Sequence, residues 1–275
     1  MRVTDLQIYP VKSLAGDRLD EAVVEPWGLA GDRRWALVDE AGEKVTAREE
    51  HALLGLRAEQ IDEDTIRIHD RDGQSIPVET PLGLGPVPVS HARQGFANPA
   101  DEDVNWWIAE RVGRPLRLVW QEDPAVRRVS GAHGGQDGDV LSLADAGPLL
   151  LTSRASLTRL REWIGAEWAQ EDPDLSMLRF RPNVVIDGDE PFAEDGWSTV
   201  RLGGVEFRTA ETCDRCVMAT IHPEELVSGK EPTATLARHR RWGGKTWFGT
   251  RLVPMGSGSL RVGDEVAPGL PTLSP

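Results

Sequence analysis

Cys213 and Cys216 are the only cysteines in the chain, and they stand three apart in Cys213-Asp214-Arg215-Cys216. That spacing serves several chemistries. A structural zinc site needs about four ligands; His222 and His239 would have to complete it, and their spacing matches no finger. A thioredoxin-like pair sits near the start of a βαβ unit. Here the pair falls between two strand-like runs, Val205–Phe207 and Val217–Ile221. Two cysteines in a chain of this size exclude the disulfide framework of a small secreted domain. By spacing alone, one or two buried structural cysteines is the leading reading. Arg215 changes the balance, because a neighbouring guanidinium favours thiolate over thiol and the thiolate is the form that binds a soft metal. A lone thiolate holds a metal weakly, but it can anchor one whose other ligands come from an organic cofactor.

Four cationic clusters stand at expected strand ends. Lys12 and Ser13 follow the first strand in Tyr9-Pro10-Val11-Lys12-Ser13, and Arg33 leads into the third in Asp32-Arg33-Arg34-Trp35. Arg48 closes Val45-Thr46-Ala47-Arg48, and Arg181 and Asn183 precede Val184 in Phe180-Arg181-Pro182-Asn183. Singly, each reads as an exposed charge or a surface ion pair worth about 0–1 kcal/mol. Together they read as an anion site. Lys supplies a point charge, Arg a bidentate fork, and Ser and Asn neutral hydrogen bonds, a mixture suited to phosphate. Pro182 restrains the residue before it.

The elements that must position these residues are mostly strands. Val3, Leu6 and Ile8 begin one that ends at Pro10; Ala22–Val24 and Trp35–Val38 are others, the latter followed by a turn at Asp39–Gly42. Ile66–Ile68 and Ile76–Val78 flank a second turn at Asp70–Gly73. Short strands at this spacing predict a barrel or folded sheet. Val104, Trp107, Ile108 and Val112 recur at helical spacing behind Asp101–Asp103 and stop at Gly113. Leu116–Trp120 is a strand, and the polar, glycine-rich 121–140 reads as a mobile surface loop with a domain boundary near it. Leu149–Thr152 is a strand, after which Ser153 caps a helix through Leu157, Leu160 and Trp163 to Gly165. Val184–Ile186, Val205–Phe207, Val217–Ile221 and the surroundings of Leu252 and Leu260 read as strands, and Pro232 opens a short helix over Thr235–Arg240. The fold class is therefore mainly β with a few helices (α+β). Trp242 and Trp247 are candidates to line a pocket.

Bulk properties narrow the function. The formal net charge of −14 repels nucleic acid and anionic membranes over a Debye length of about 8 Å, so neither is an expected partner. No run approaches the roughly 20 apolar residues of a membrane helix, and the N-terminus resembles neither a signal nor a transit peptide. A cytoplasmic location is expected.

The chain resembles a known family. YPVKS (9–13), GDRRWALVDEAG (31–42) and VTAR (45–48) are similar to the β-barrel domain that precedes MOSC domains. LADAGPLLLTSRASL (143–157), FRPNVVIDG (180–188), CDRCVMATIHPE (213–224), KEPTATLARHR (230–240) and LRVGDEV (260–266) are similar to the MOSC domain itself. The resemblance covers nearly the whole chain and is strongest toward amidoxime-reducing components. It implies an N-terminal β-barrel-like domain over 1–120 packed on a MOSC β-barrel domain over 121–270. It implies a molybdenum cofactor (Mo-molybdopterin), with Cys216 as metal ligand and catalytic residue and Cys213 as a neighbour whose role the resemblance does not assign. Lys12, Ser13 and Arg33 then contact the cofactor from the first domain, Arg181 and Asn183 from the second, with Thr152 and Ser153 as a further contact; Arg48 and Arg215 are added on charge and position. The implied activity is reduction of N-hydroxylated substrates such as amidoximes, hydroxylamines and N-hydroxylated bases. An iron–sulfur cluster needs about four ligands, mostly Cys, and none follows Cys216. Electrons are expected from a separate protein: ferredoxin, flavodoxin, or a cytochrome b5-like carrier with its reductase. The alternative is a carrier of molybdenum cofactor or sulfur without turnover of its own.

Overall fold

The computed structural model describes residues 1–83, 85–91, 93–167 and 175–269. They form a mainly β structure with three α-helices. A nine-stranded sheet runs in the order Asp17–Leu19, Val3–Ile8, Val184–Ile186, Leu149–Ser153, Lys245–Pro254, Val205–Asp214, Thr199–Leu202 and Val266–Pro268, with Arg241–Trp242 pairing at the side of Lys245–Pro254. A five-stranded sheet joins Val87–Pro88, Phe96–Pro99, Arg117–Trp120, Trp35–Val38 and Lys44–Val45. Two three-stranded sheets complete the set, one of them the meander Arg57–Gln60, Thr65–His69, Ser75–Glu79.

Local rules account for most of these elements. Thr65–His69 buries Ile66 and Ile68 and turns the residues between them outward, the two-residue period of a half-buried strand. Leu149–Ser153 is buried at every position because it lies in the middle of the large sheet. Helix α1, Glu102–Val112, carries Glu102 and Asp103 in its first turn, Arg111 in its last, and stops at Gly113 with φ of 84°, as its dipole and a left-handed cap require. Helix α2 spans Arg154–Glu167. It passes through Gly165, expected as its end, because an interior glycine costs only about 1 kcal/mol. Helix α3 is Thr233–His239.

One expected strand is absent. Val217–Thr220 is a single 3-10 turn, closed by Ala219 N donating to Cys216 O and by Thr220 Oγ1 donating to Val217 O. Ala219, Thr220 and Ile221 are buried in succession, so the run never alternates, and a short apolar stretch does not separate strand from helical turn by period alone. The segment 121–140 holds two short 3-10 turns, Pro124–Val126 and Gly131–His133. It is tied down: Arg208 donates to Gly134 O and Asp139, and Leu141 N donates to Arg127 O.

Two main cores divide the interior. One gathers Leu6, Ile8, Leu149, Leu151, Val184, Phe207 and Leu252; the other Val11, Leu14, Trp35, Leu37, Ile68, Ile108 and Leu118. A third, smaller core under α2 and α3 holds Leu160, Phe180, Leu236 and Phe248. The chain crosses between the main cores at Tyr9–Pro10 and again between Leu29 and Trp35. Lys12, Ser13 and Arg33 therefore stand on the seam.

Candidate functional site

A cleft of about 330 Å³ opens along that seam. The N-terminal segments contribute Lys12, Ser13, Arg33, Thr46 and Arg48. Opposite them stand Phe180, Arg181 and Asn183, with Cys213, Asp214, Arg215 and Cys216 from the end of the Val205–Asp214 strand. Six of the lining side chains are cationic (Lys12, Arg33, Arg48, Arg181, Arg215, Arg251) and two are carboxylates (Asp145, Asp214), a net formal charge of +4 in a chain of −14.

Three of the lining residues hold backbone conformations that side chains resist. Ser13, Arg33 and Arg181 have φ of 75°, 50° and 54°. A non-glycine residue there costs of order 1–3 kcal/mol, and such strain gathers at functional sites. The surroundings enforce it at Arg33. Its Nη1 donates to Asp32 Oδ2 (2.6 Å) and Asn183 Oδ1 (2.9 Å), and its Nη2 to Arg181 O (3.2 Å). Asn183, buried, also accepts from Leu150 N and donates to Gln7 O, so one amide joins three segments of chain.

The cations fall into two groups. Lys12 donates to Leu143 O and Asp145, and Arg48 donates to the other Asp145 oxygen at 2.6 Å. Burial pushes the Asp145 carboxyl up, but the charges of Lys12 and Arg48 outweigh it and hold it well below the usual carboxylate range. Burial pulls the Lys12 ammonium down, partly offset by Asp145. Arg48 is held above its ordinary value, Asp145 and the nearby Cys216 sulfur outweighing its own burial. Arg181 and Arg215 differ: no carboxylate partner faces either among the described residues. Arg181 Nη1 donates to Leu14 O, and its guanidinium lies 4.1 Å from the Tyr9 ring centroid, which Arg33 approaches at 4.4 Å. Burial, then the charge of Arg33, lowers Arg181 to about 10. Arg215 donates to Cys213 Sγ (3.0 Å) and Phe180 O (2.9 Å), and its buried Nε has no partner. Guanidiniums so placed gain most from an incoming anion.

The two sulfurs are unlike. Cys213 is buried and Cys216 exposed. The pairing of Val205–Asp214 with Lys245–Pro254 slips between Thr209 and Glu211 and again between Thr212 and Asp214. Such bulges re-aim side chains beside active sites, and the second leaves Cys213 unpaired at the cleft wall. Among the described residues no group of three or more His, Cys, Asp or Glu could hold a metal unaided.

The MOSC domain family matches residues 137–267, and the MOSC N-terminal beta barrel domain matches 1–115. Mitochondrial amidoxime-reducing component 1 of Homo sapiens is 30% identical over 96% of this chain and 82% of that protein. This chain belongs to the MOSC family. Molybdenum cofactor sulfurase of Danio rerio is 29% identical over 97% of this MOSC chain, which spans 34% of that protein. The chain thus spans about a third of the sulfurases it matches. The YUAD protein from Bacillus subtilis, a solved structure, aligns over 96% of this chain and 93% of its own at a TM-score of 0.42 and 12% identity.

Of the site residues expected in this MOSC chain, Lys12, Ser13, Arg33, Arg48, Arg181, Asn183, Arg215 and Cys216 line the one cleft. Thr152 and Ser153 do not. Leu150 lines it, and Thr152 is two residues, roughly 6–7 Å, further along the same strand, where its methyl packs at Gly249. Ser153 caps α2, accepting from Ser156 N at 3.0 Å and donating to Ser156 Oγ at 2.8 Å. Trp242 and Trp247 stack on each other outside the cleft, ring centroids 5.6 Å apart. Sequence reasoning passed over Asp145, which sits in the quoted LADAG motif, and Arg251, Glu211 and His133, which no local pattern marks.

Proposed function

We propose that this protein binds a molybdenum cofactor in the seam cleft and reduces N-hydroxylated small molecules, with electrons from a separate electron-transfer protein. The observation that carries the reading is the meeting of an exposed thiol, Cys216, with two guanidiniums that have no carboxylate in ion-pair contact among the described residues, Arg181 and Arg215, in one cleft of net positive charge. The residues fit such a guest. A single exposed protein sulfur calls for a metal whose remaining ligands are not protein, and the guanidiniums of Arg181 and Arg215 on the cleft wall offer donors that a phosphate accepts from. The names of the relatives, amidoxime-reducing component and molybdenum cofactor sulfurase, support the same class.

In this reading Cys216 Sγ is the metal ligand. Arg181 and Arg215 bind the anionic end of the guest; Lys12 and Arg48, cross-linked through Asp145, flank it; Ser13 and Asn183 add neutral hydrogen bonds. When bound, the cofactor supplies two-electron chemistry at the N–O bond; the protein contributes placement and field.

The test is protein purified from a host that makes molybdenum cofactor, assayed for metal and for benzamidoxime turnover with a reduced viologen dye. Cys216→Ser is expected to abolish turnover while the melting curve stays that of the folded protein; retained turnover rejects the ligand assignment. The exposure of Cys216 also suits a carrier of cofactor or persulfide sulfur. That reading gains if the wild type hands its cofactor to an apo-acceptor and turns nothing over.

A further inference from the structure

We propose that His133 is the proton donor of this site, with Glu211 as the residue that positions it. The inference rests on the reductase reading above and adds a chemical role that reading leaves unfilled. Reducing R–NH–OH to R–NH2 breaks the N–O bond, takes up two electrons and two protons, and releases water. The electron pair enters from the external donor. A hydroxyl leaves poorly as hydroxide and well as water, so one proton must reach the oxygen as the bond breaks.

The other groups around the cleft are committed elsewhere. Arginines stay charged. Lys12 and Arg48 are engaged by Asp145, and Asp214 by Arg251. The Tyr9 hydroxyl donates to Pro182 O and is pushed up to about 12 by burial. His133 is different. It lines the cleft, and its Nδ1 lies 2.7 Å from Glu211 Oε1. A carboxylate on Nδ1 fixes the imidazole in orientation and leaves Nε2 as the working nitrogen. Nε2 has no partner among the described residues. Glu211 is itself held by Arg251, which reaches on to Asp214 at 2.7 Å, so the dyad is braced from behind.

The backbone is arranged to present this ring. His133 ends the Gly131–His133 turn, and Gly134 follows with φ of 69°. A Cβ on Gly134 would stand 2.1 Å from Ala210 O. The turn therefore lies flat on the Val205–Asp214 strand, and Ala210 falls within the first register slip, beside Glu211. Bulge and glycine together seat the imidazole against its carboxylate.

The step balances as follows. The departing hydroxyl takes the Nε2 proton of the imidazolium and leaves as water. The nitrogen takes the second proton from solvent, and His133, its side chain 31% exposed, is reprotonated from bulk water.

His133→Ala tests this. With metal content and KM at wild-type levels, kcat for benzamidoxime with the dye is expected to fall about 100-fold, the scale of general acid catalysis, and to recover in part when free imidazole is added. Glu211→Gln is expected to lower kcat less and leave KM unchanged. In the cofactor-free protein, the downfield proton resonance of a carboxylate-bound imidazole Nδ1–H is expected in wild type and absent from both variants. Turnover of His133→Ala within about twofold of wild type, or a loss that imidazole does not answer, overturns the proposal. If the metal-loaded wild type turns over nothing, the reductase reading falls first and this role with it.

Discussion

At the scale of single residues, the cleft separates cations that are spoken for from cations that are not. Asp145 satisfies Lys12 and Arg48, and Asp32 satisfies Arg33. Arg181 has a ring beneath it and one backbone carbonyl, but among the described residues no carboxylate in ion-pair contact. A hydrogen bond to a charged group is worth about 1.5–3 kcal/mol, so one such contact changes retention of a bound anion by roughly tenfold or more. Arg181→Ala is accordingly expected to lower molybdenum occupancy of purified protein about tenfold, read by elemental analysis. Occupancy equal to wild type would remove Arg181 from the proposed site. The strained φ at Ser13, Arg33 and Arg181 belongs to the same account: three side chains are held where a relaxed backbone would not send them.

At the scale of elements, the Val205–Asp214 strand and the turn laid across it make one wall. Two register slips against Lys245–Pro254 accompany Cys213 and Asp214 on the cleft and Glu211 behind it, and the glycine-rich turn answers with His133. Gly134→Ala adds a methyl against Ala210 O in a left-handed backbone. The expected cost is about 2 kcal/mol, seen as a lowered melting temperature, with a larger fractional loss of activity than of metal content because the turn carries His133. An unchanged melting temperature would mean that the turn yields without cost. The Ser153–Ser156–Glu194 chain behind α2 is separate: Ser153 donates to Ser156, and Ser156 donates to Glu194 Oε1 at 2.7 Å. It stiffens the helix start rather than serving the cleft.

At the scale of the whole molecule, the two main cores are interleaved rather than strung in series. Val3–Ile8 pairs with Val184–Ile186 in the large sheet, while Val11 and Leu14 lie in the other core. The pH dependence of stability is a property of this whole. Burial raises Glu194 above its ordinary value; Ser156 lowers it only in part. A carboxyl raised on folding binds its proton more tightly in the native state. Its favourable contribution is complete below the unfolded value and is lost as pH rises through the folded one. Glu194→Gln keeps the acceptor for Ser156 and removes the charge. It is therefore expected to gain stability relative to wild type as pH rises above the ordinary Glu range, with the difference shrinking in acid. A difference in denaturant midpoint that stays flat from pH 4 to pH 8 would contradict this.

By itself the sequence determined the β-rich class, the period of strands such as Thr65–His69, the two ends of α1, and the residue types gathered in the proposed anion site. These are local matters, written in spacing, caps and charge. Motif resemblance also singled out Cys216 over Cys213 and grouped Lys12, Ser13, Arg33, Arg181 and Asn183, all of which line the cleft. Only the tertiary structure decided that Thr152 and Ser153 do not line the cleft, that Val217–Thr220 coils into a turn, and that His133 meets Glu211 across 78 positions of sequence. The physical reason is that convergence depends on where the chain changes cores and where a strand slips register. Neither event leaves a periodic trace in the residues that undergo it.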